Sequence, residues 1–213
     1  IFDHKKEEMG NVIFNNELLL RVTNQLKASR SIIEVSDFDI TQLCENKIIQ
    51  LRNKKYSFDH IILSVGKKFN DNKLIKKYNI PNSHKAYVGF FKHSINHYQT
   101  AYEIFTKKGP LAVLPSPSTR KNCSTFIYST KDKLSDNAIF NLLKKNFTST
   151  HGNIKLIKTV NQFYISPHIS KNLSDKYFLI GDTLRSIHPV AGQGWNLGIK
   201  DIQTLSLLLD NNK

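Results

Sequence analysis

Cysteine, acidic side chains and long apolar runs are all scarce in this chain, and each scarcity closes off a class of protein. Two cysteines, Cys44 and Cys123, occur in 213 residues, far apart and in no C-x-x-C arrangement. That excludes a disulfide framework or a cysteine-rich zinc site and fits a reducing compartment. No apolar stretch approaches the roughly 20 residues a membrane-crossing helix needs, and the first residues carry no signal-peptide pattern. The expected location is cytoplasmic, at most peripheral to an inner membrane. No Ser-His-Asp or Cys-His arrangement and no paired carboxylates support an independent hydrolytic mechanism, so no protein-side catalytic residue is assigned.

With 31 Lys and Arg against 17 Asp and Glu, the formal net charge is +14. The lysines are spread along the chain in pairs such as Lys67-Lys68, Lys76-Lys77, Lys107-Lys108 and Lys144-Lys145. No arginine-rich helix or basic stripe interleaved with aromatics stands out, so nucleic acid is not the expected partner. Two readings of the charge stay open. The abundance of Lys, Asn and Ile fits an AT-rich coding sequence, and the same charge would draw the protein to an anionic membrane surface.

The length is enough to bury a core. Leu18, Leu19, Val22 and Leu26 give 15–28 the apolar spacing of a helix. Strand-like runs follow at 31–35, 47–51 and 56–64, the last dense enough in Ile and Leu for a strand buried on both faces. A short helix is predicted over 70–78. Strand patterns then occupy 86–91, 99–105, 111–114 and 123–128, with Gly109-Pro110 as a turn and Pro115 as a stop. Residues 135–146 read as a helix, and 153–164 resumes strand character.

The last forty residues hold the strongest signal. A hydrophobic strand, 177–180, feeds Gly181-Asp182. A loop with Pro189, Gly192 and Gly194 follows, and a helix pattern begins near Trp195. Gly192 and Gly194 have no Cβ and let backbone come close to a ligand. Unpaired N–H groups and the dipole at a helix start favour negative charge by roughly 0.3–1 kcal/mol, or about 2 kcal/mol when partly buried. Asp182, at the C-terminal end of its strand, is placed to accept hydrogen bonds from ligand hydroxyls.

The whole run, G-D-x5-H-P-x-A-G-Q-G-x-N-x-G-x-x-D, resembles the second flavin-binding motif of the aromatic-ring flavoprotein monooxygenases. Among them it is most similar to the ubiquinone-biosynthesis hydroxylases of the UbiH type. The resemblance implies FAD as cofactor, with Gly181 and Asp182 on its ribitol and Pro189, Gly192, Gln193, Gly194, Trp195 and Asn196 around the isoalloxazine. A second block, His93 to Pro115, reads H-x3-H-x3-A-x3-F-T-x2-G-P-x-A-x-L-P and is similar to a segment of the same family. It lies in the sheet that covers the substrate there, so Leu111, Val113 and Pro115 are the candidate substrate lining. The implied fold is α/β: a FAD-binding Rossmann-like domain (1–83 and 166–213) with an inserted, mostly antiparallel substrate sheet (84–165). His93 and His97 would point the same way on a helix, as metal ligands do. The β-branched and aromatic surroundings and the lack of a third ligand favour polar strand and loop histidines instead, with no metal.

Implied too is the chemistry: NAD(P)H reduces the flavin, O2 forms a C4a-hydroperoxide, and one oxygen atom passes to the ring of a polyprenylphenol. A quinone-biosynthesis complex or an anionic membrane would be the partner. Two departures bear on this. Where such hydroxylases carry G-A-D-G, this chain has Leu63-Ser64-Val65-Gly66, and their Ala-Ala-His is Thr183-Leu184-Arg185. There is also no G-x-G-x-x-G fingerprint. With a first residue Ile1 and a last residue Lys213, the expectation is a fragment that holds FAD weakly by itself. A non-catalytic scaffold subunit, or a flavoprotein of a neighbouring class such as a lipid reductase or halogenase, are the alternatives.

Overall fold

The computed structural model describes residues 10–35, 48–51, 54–67, 75–117, 121–156, 160–172, 177–188 and 192–210. In chain order the first elements are α1 (Asn15–Ala28), β1 (Ile48–Leu51), β2 (Lys54–Ser57), β3 (Ile61–Leu63), β4 (Ile75–Asn79), β5 (Lys85–His93), β6 (Tyr102–Thr106) and β7 (Gly109–Pro115). Then come β8 (Cys123–Thr130), α2 (Asp136–His151), β9 (Ile154–Leu156), β10 (Asn161–Tyr164), β11 (His168–Asn172), β12 (Tyr177–Leu179), a 3-10 turn (Gly181–Thr183), β13 (Arg185–Ser186) and α3 (Gln193–Asp210). The chain divides into two compact units, residues 1–34 with 84–163 and residues 35–83 with 164–213.

The first unit is built on an antiparallel sheet in the order β10-β5-β8-β7-β6, with β9 also paired to β5. Strand alternation explains its core. The registers Tyr87↔Tyr128↔Leu111 and Gly89↔Phe126↔Val113 put two rows on one face. Ile139, Leu143 and Phe147 of α2, four residues apart and so on one helix face, pack onto those rows. Gly89 is required there, since a Cβ would sit 2.7 Å from the Phe126 ring. The Ser135 hydroxyl caps α2 by accepting from the Ala138 N–H at 3.3 Å. By contrast, α1 buries none of its residues.

The second unit carries a parallel pair, β3 with β12, in the register Ile61↔Tyr177, Ile62↔Phe178, Leu63↔Leu179. Beside it β4, β11 and β13 form an antiparallel set, and β1 and β2 a hairpin. Ile61, Leu63, Ile75, Tyr177 and Leu179 make its core.

Four sequence expectations are corrected. Residues 31–35 form no strand, because no neighbour among the described residues completes a ladder; Ile33 is 83% exposed. The run 56–64 is two strands, not one, broken at Phe58-Asp59-His60, and β3 alternates rather than being buried on both faces. Ile75 to Tyr78 belongs to β4, not to a helix; pairing with β11 and the fully buried Ile75 override the local helix preference, while 70–74 lie outside the described residues. The turn predicted at Gly109-Pro110 sits two residues earlier, at Lys107-Lys108. Gly109 opens β7 at φ 137°, where a Cβ would lie 1.9 Å from the Ser129 carbonyl oxygen.

Candidate functional site

In the second unit the C-terminal ends of β3 and β12 lie side by side, because the pair is parallel. The Ile180 N–H donates to the Leu63 carbonyl at 3.2 Å. Ser64-Val65-Gly66 leaves one strand and Gly181-Asp182-Thr183 leaves the other. The Thr183 hydroxyl donates to the Gly66 carbonyl at 3.4 Å, tying the two turns together. Val65, the residue in the acidic position of the related motif, is 46% exposed.

Gly181 takes φ 56°, a left-handed conformation that suits glycine and lets the chain turn directly off β12. The following Asp182 is exposed, with its carboxylate on the surface at the strand end. Two side chains hold this turn, Asp201 and His168. The Asp201 carboxylate of α3 accepts from the Gly181 N–H at 3.0 Å and from Arg185 Nη2 at 2.6 Å. Its side chain is 12% exposed and that of Arg185 32%, so the pair is partly shielded from water. His168, fully buried on β11, donates from Nε2 to the Asp182 carbonyl at 2.9 Å. A carbonyl can only accept, so this bond fixes the ring's tautomer.

Helix α3 begins at Gln193, with Gly192 before it at φ 61° and no acidic residue in its first turn. Gly192, Gln193, Gly194, Trp195 and Asn196 are all exposed, and Cβ atoms at Gly192 or Gly194 would meet nothing within 4 Å. Of the predicted cofactor residues, Gly181 and Asp182 sit on the turn and these five on the helix start; Pro189 lies outside the described residues. An exposed carboxylate after a parallel strand, and a helix start free of acidic side chains with open space over its glycines, fit the hydroxyl-bearing and electron-rich parts of a flavin nucleotide.

The predicted substrate lining is placed differently. Leu111 and Val113 are 0% exposed in the core against α2, and Pro115 is buried as well. Side chains of β7 alternate, so it is Ala112 and Leu114 that take the other, half-buried face. Leu111 and Val113 therefore pack the sheet against α2, and Pro115 shares their buried face.

His93 ends β5 and His97 lies in the following loop, so helical spacing does not apply; their rings are nevertheless 6.0 Å apart. A third histidine, His151 at the end of α2, packs edge-on to His93 at 4.7 Å. All three are buried. His93 donates from Nδ1 to the Ile95 carbonyl at 2.6 Å, and its Nε2 meets Ser124 Oγ at 3.0 Å. The Thr150 hydroxyl donates to the Phe147 carbonyl and accepts from His151 Nδ1 at 2.8 Å, which leaves His151 Nε2 with no hydrogen-bond partner. Burial pushes the His151 pKa down to about 4, with the neighbouring His93 and His97 adding to the effect. Burial also lowers His93. Among the described residues no group of three or more His, Cys, Asp or Glu is arranged to hold a metal ion.

A parallel strand pair whose C-terminal turns meet, one of them carrying a free-standing carboxylate and leading on to a helix start, marks the α/β proteins that bind a dinucleotide cofactor at their strand ends. Residues 91–211 match the FAD binding domain family, and the chain belongs to that family. Its cofactor is FAD. Ubiquinone hydroxylase UbiM of Neisseria meningitidis is 29% identical over 136 residues, 60% of this chain and 29% of that protein. Ubiquinone hydroxylase UbiL of Rhodospirillum rubrum is 27% identical over 129 residues, 57% of this chain and 29% of that protein. The chain spans about 29% of the length of these two relatives. In fold it is similar to MibH, a lathipeptide tryptophan 5-halogenase, with a TM-score of 0.56 at 13% identity over 92% of this chain and 38% of that one. The flavin-dependent halogenase CmlS gives 0.52 at 14% identity, over 86% of this chain and 36% of that one. At such identities the likeness is one of fold alone. No described helix is long and apolar enough to cross a membrane.

Proposed function

We propose that this chain forms part of a FAD-dependent monooxygenase that hydroxylates the aromatic ring of a polyprenylphenol in ubiquinone biosynthesis, using NAD(P)H and O2. The observation that carries the reading is the exposed Asp182 on its Gly181 turn, followed by the open helix start at Gly192–Asn196. The names of the two hydroxylase relatives supply the substrate class. When bound, FAD supplies the redox chemistry, accepting electrons from the nicotinamide and activating oxygen.

This chain's own residues bind and orient. Asp182 accepts hydrogen bonds from ribitol hydroxyls. The backbone N–H groups of the first turn of α3 favour negative charge on the flavin's pyrimidine edge. Gly192 and Gly194 keep the approach free of side chains. The half-buried outward residues Ala112 and Leu114 are the better candidates for an apolar substrate contact than the core pair Leu111 and Val113. Membrane or complex attachment would bring in a lipid-tailed substrate, and the net charge of +14 supports the former.

The test is turnover by the complete protein with NAD(P)H, O2 and a polyprenylphenol. A ring carrying one added oxygen supports the reading; a saturated or halogenated product contradicts it. The exposed Val65 in an acidic position favours one other reading, a scaffold subunit without turnover. Absence of NAD(P)H oxidation by protein that nonetheless binds FAD would select it.

A further inference from the structure

The Gly181–Asp182 turn cannot hold itself. A three-residue 3-10 turn has few internal bonds: here the Thr183 N–H reaches the Ile180 carbonyl at 3.3 Å and the Leu184 N–H the Gly181 carbonyl at 3.0 Å. Its first residue is a glycine at φ 56°, free to take many other conformations. Yet the direction of the Asp182 carboxylate follows from the backbone at these two residues. Something outside the turn must fix it.

We infer that Asp201 and His168 are positioning residues that grip the Gly181–Asp182 segment from its two ends and so aim the Asp182 carboxylate. The inference rests on the FAD reading and adds the residues that make it geometrically possible. Asp201 takes the N–H at the start of the segment and His168 the carbonyl at its end. Neither side chain is needed to touch the cofactor, so their role is exerted through Asp182.

Three features make the grip more than incidental. Both groups are shielded, His168 at 1% exposure and the Asp201 side chain at 12%, where hydrogen bonds hold better than in open water. Asp201 stands on the helix whose first turn carries Gln193 to Asn196, so one carboxylate ties the ribitol side of the site to the ring side. Gly198, one turn before it, faces the turn; a Cβ there would meet the Gly181 Cα at an ordinary contact distance, 3.6 Å. Finally, the second oxygen of Asp201 is taken by Arg185, which stands where the related motif has histidine. The ion pair, at 2.6 Å, holds the carboxylate in register, so the departure at Arg185 becomes part of the lock.

The experiment compares paired variants of the full chain by FAD dissociation constant, from flavin fluorescence, and by amide hydrogen exchange at Gly181 without FAD. Asp201→Ala removes both bonds, whereas Asp201→Asn keeps an oxygen for the Gly181 N–H. Loss of a charge-assisted bond should weaken FAD roughly tenfold in Asp201→Ala and speed exchange at Gly181, with Asp201→Asn close to wild type in exchange. His168→Leu should weaken FAD as well, and His168→Gln, which keeps a donor, should recover much of the loss. The His168 pair decides the matter if Asp201→Ala does not fold. Folded Asp201→Ala or His168→Leu that binds FAD within about twofold of wild type overturns the positioning role alone. Wild-type chain that binds no FAD overturns the underlying reading and the positioning role with it.

Discussion

Acid should loosen the antiparallel-sheet unit through His151. In the folded protein this ring is 1% exposed and its pKa lies at about 4, whereas in the unfolded chain it returns to about 6.5. The folded value is the lower one, so between the two the unfolded chain binds more protons. The stability that the neutral ring allows is complete above about pH 6.5 and drains away as pH falls toward 4. Each pH unit in that window costs up to about 1.4 kcal/mol, giving about 2 kcal/mol at pH 5 and about 3 kcal/mol in full. His93, also lowered by burial, adds in the same direction. The rings that pack on His151 are Phe91, His93, Tyr102 and Phe147, none of which can offset a positive charge with a carboxylate. Urea unfolding followed by circular dichroism at a series of pH values measures the slope, and His151→Phe should remove about one proton's worth of it while leaving neutral-pH stability nearly intact. A slope between pH 4 and 6.5 unchanged by His151→Phe would refute the reasoning.

Other substitutions test the packing directly. Gly109→Ala should destabilise by several kcal/mol, of order 2–4, because the new Cβ meets the Ser129 carbonyl at 1.9 Å and the backbone φ is 137°; thermal melts would show it. Ser135→Ala should cost about 1 kcal/mol by uncapping α2, readable as a shift of the urea midpoint at constant slope. Phe147→Ala should cost about 3–5 kcal/mol, since the ring is 1% exposed between α2 and the sheet.

Much of this was legible in the sequence where local chemistry decides. The apolar spacing from Asn15 to Ala28 gives α1, and the strand, Gly-Asp turn and helix start appear in their expected order because glycine placement and hydrophobic period report them directly. Failures cluster where a partner from elsewhere decides. Residues 75–78 carry lysines and a tyrosine that suit a helix, but β11 recruits them into a ladder. Leu111 and Val113 read correctly as a strand, but their place in the core was not legible, since period-2 alternation says that two faces exist and not which one α2 will cover. Asp201 was visible only as the last letter of a motif; its contact with Gly181 spans 20 residues, and that of His168 with Asp182 spans 14. His151 gave no local signal at all, because its meeting with His93 depends on how α2 lies on the sheet.

The central claim is that the turn at Asp182 and the helix start after it hold the flavin. Titration of the purified protein with FAD, followed by flavin fluorescence, tests it most directly when wild type and Asp182→Ala are compared. The account predicts saturable binding by wild type and a loss of roughly ten- to a hundredfold on substitution, the worth of a hydrogen-bonded carboxylate at about 1.5–3 kcal/mol. Binding of equal strength by both proteins, or none by wild type, would contradict it.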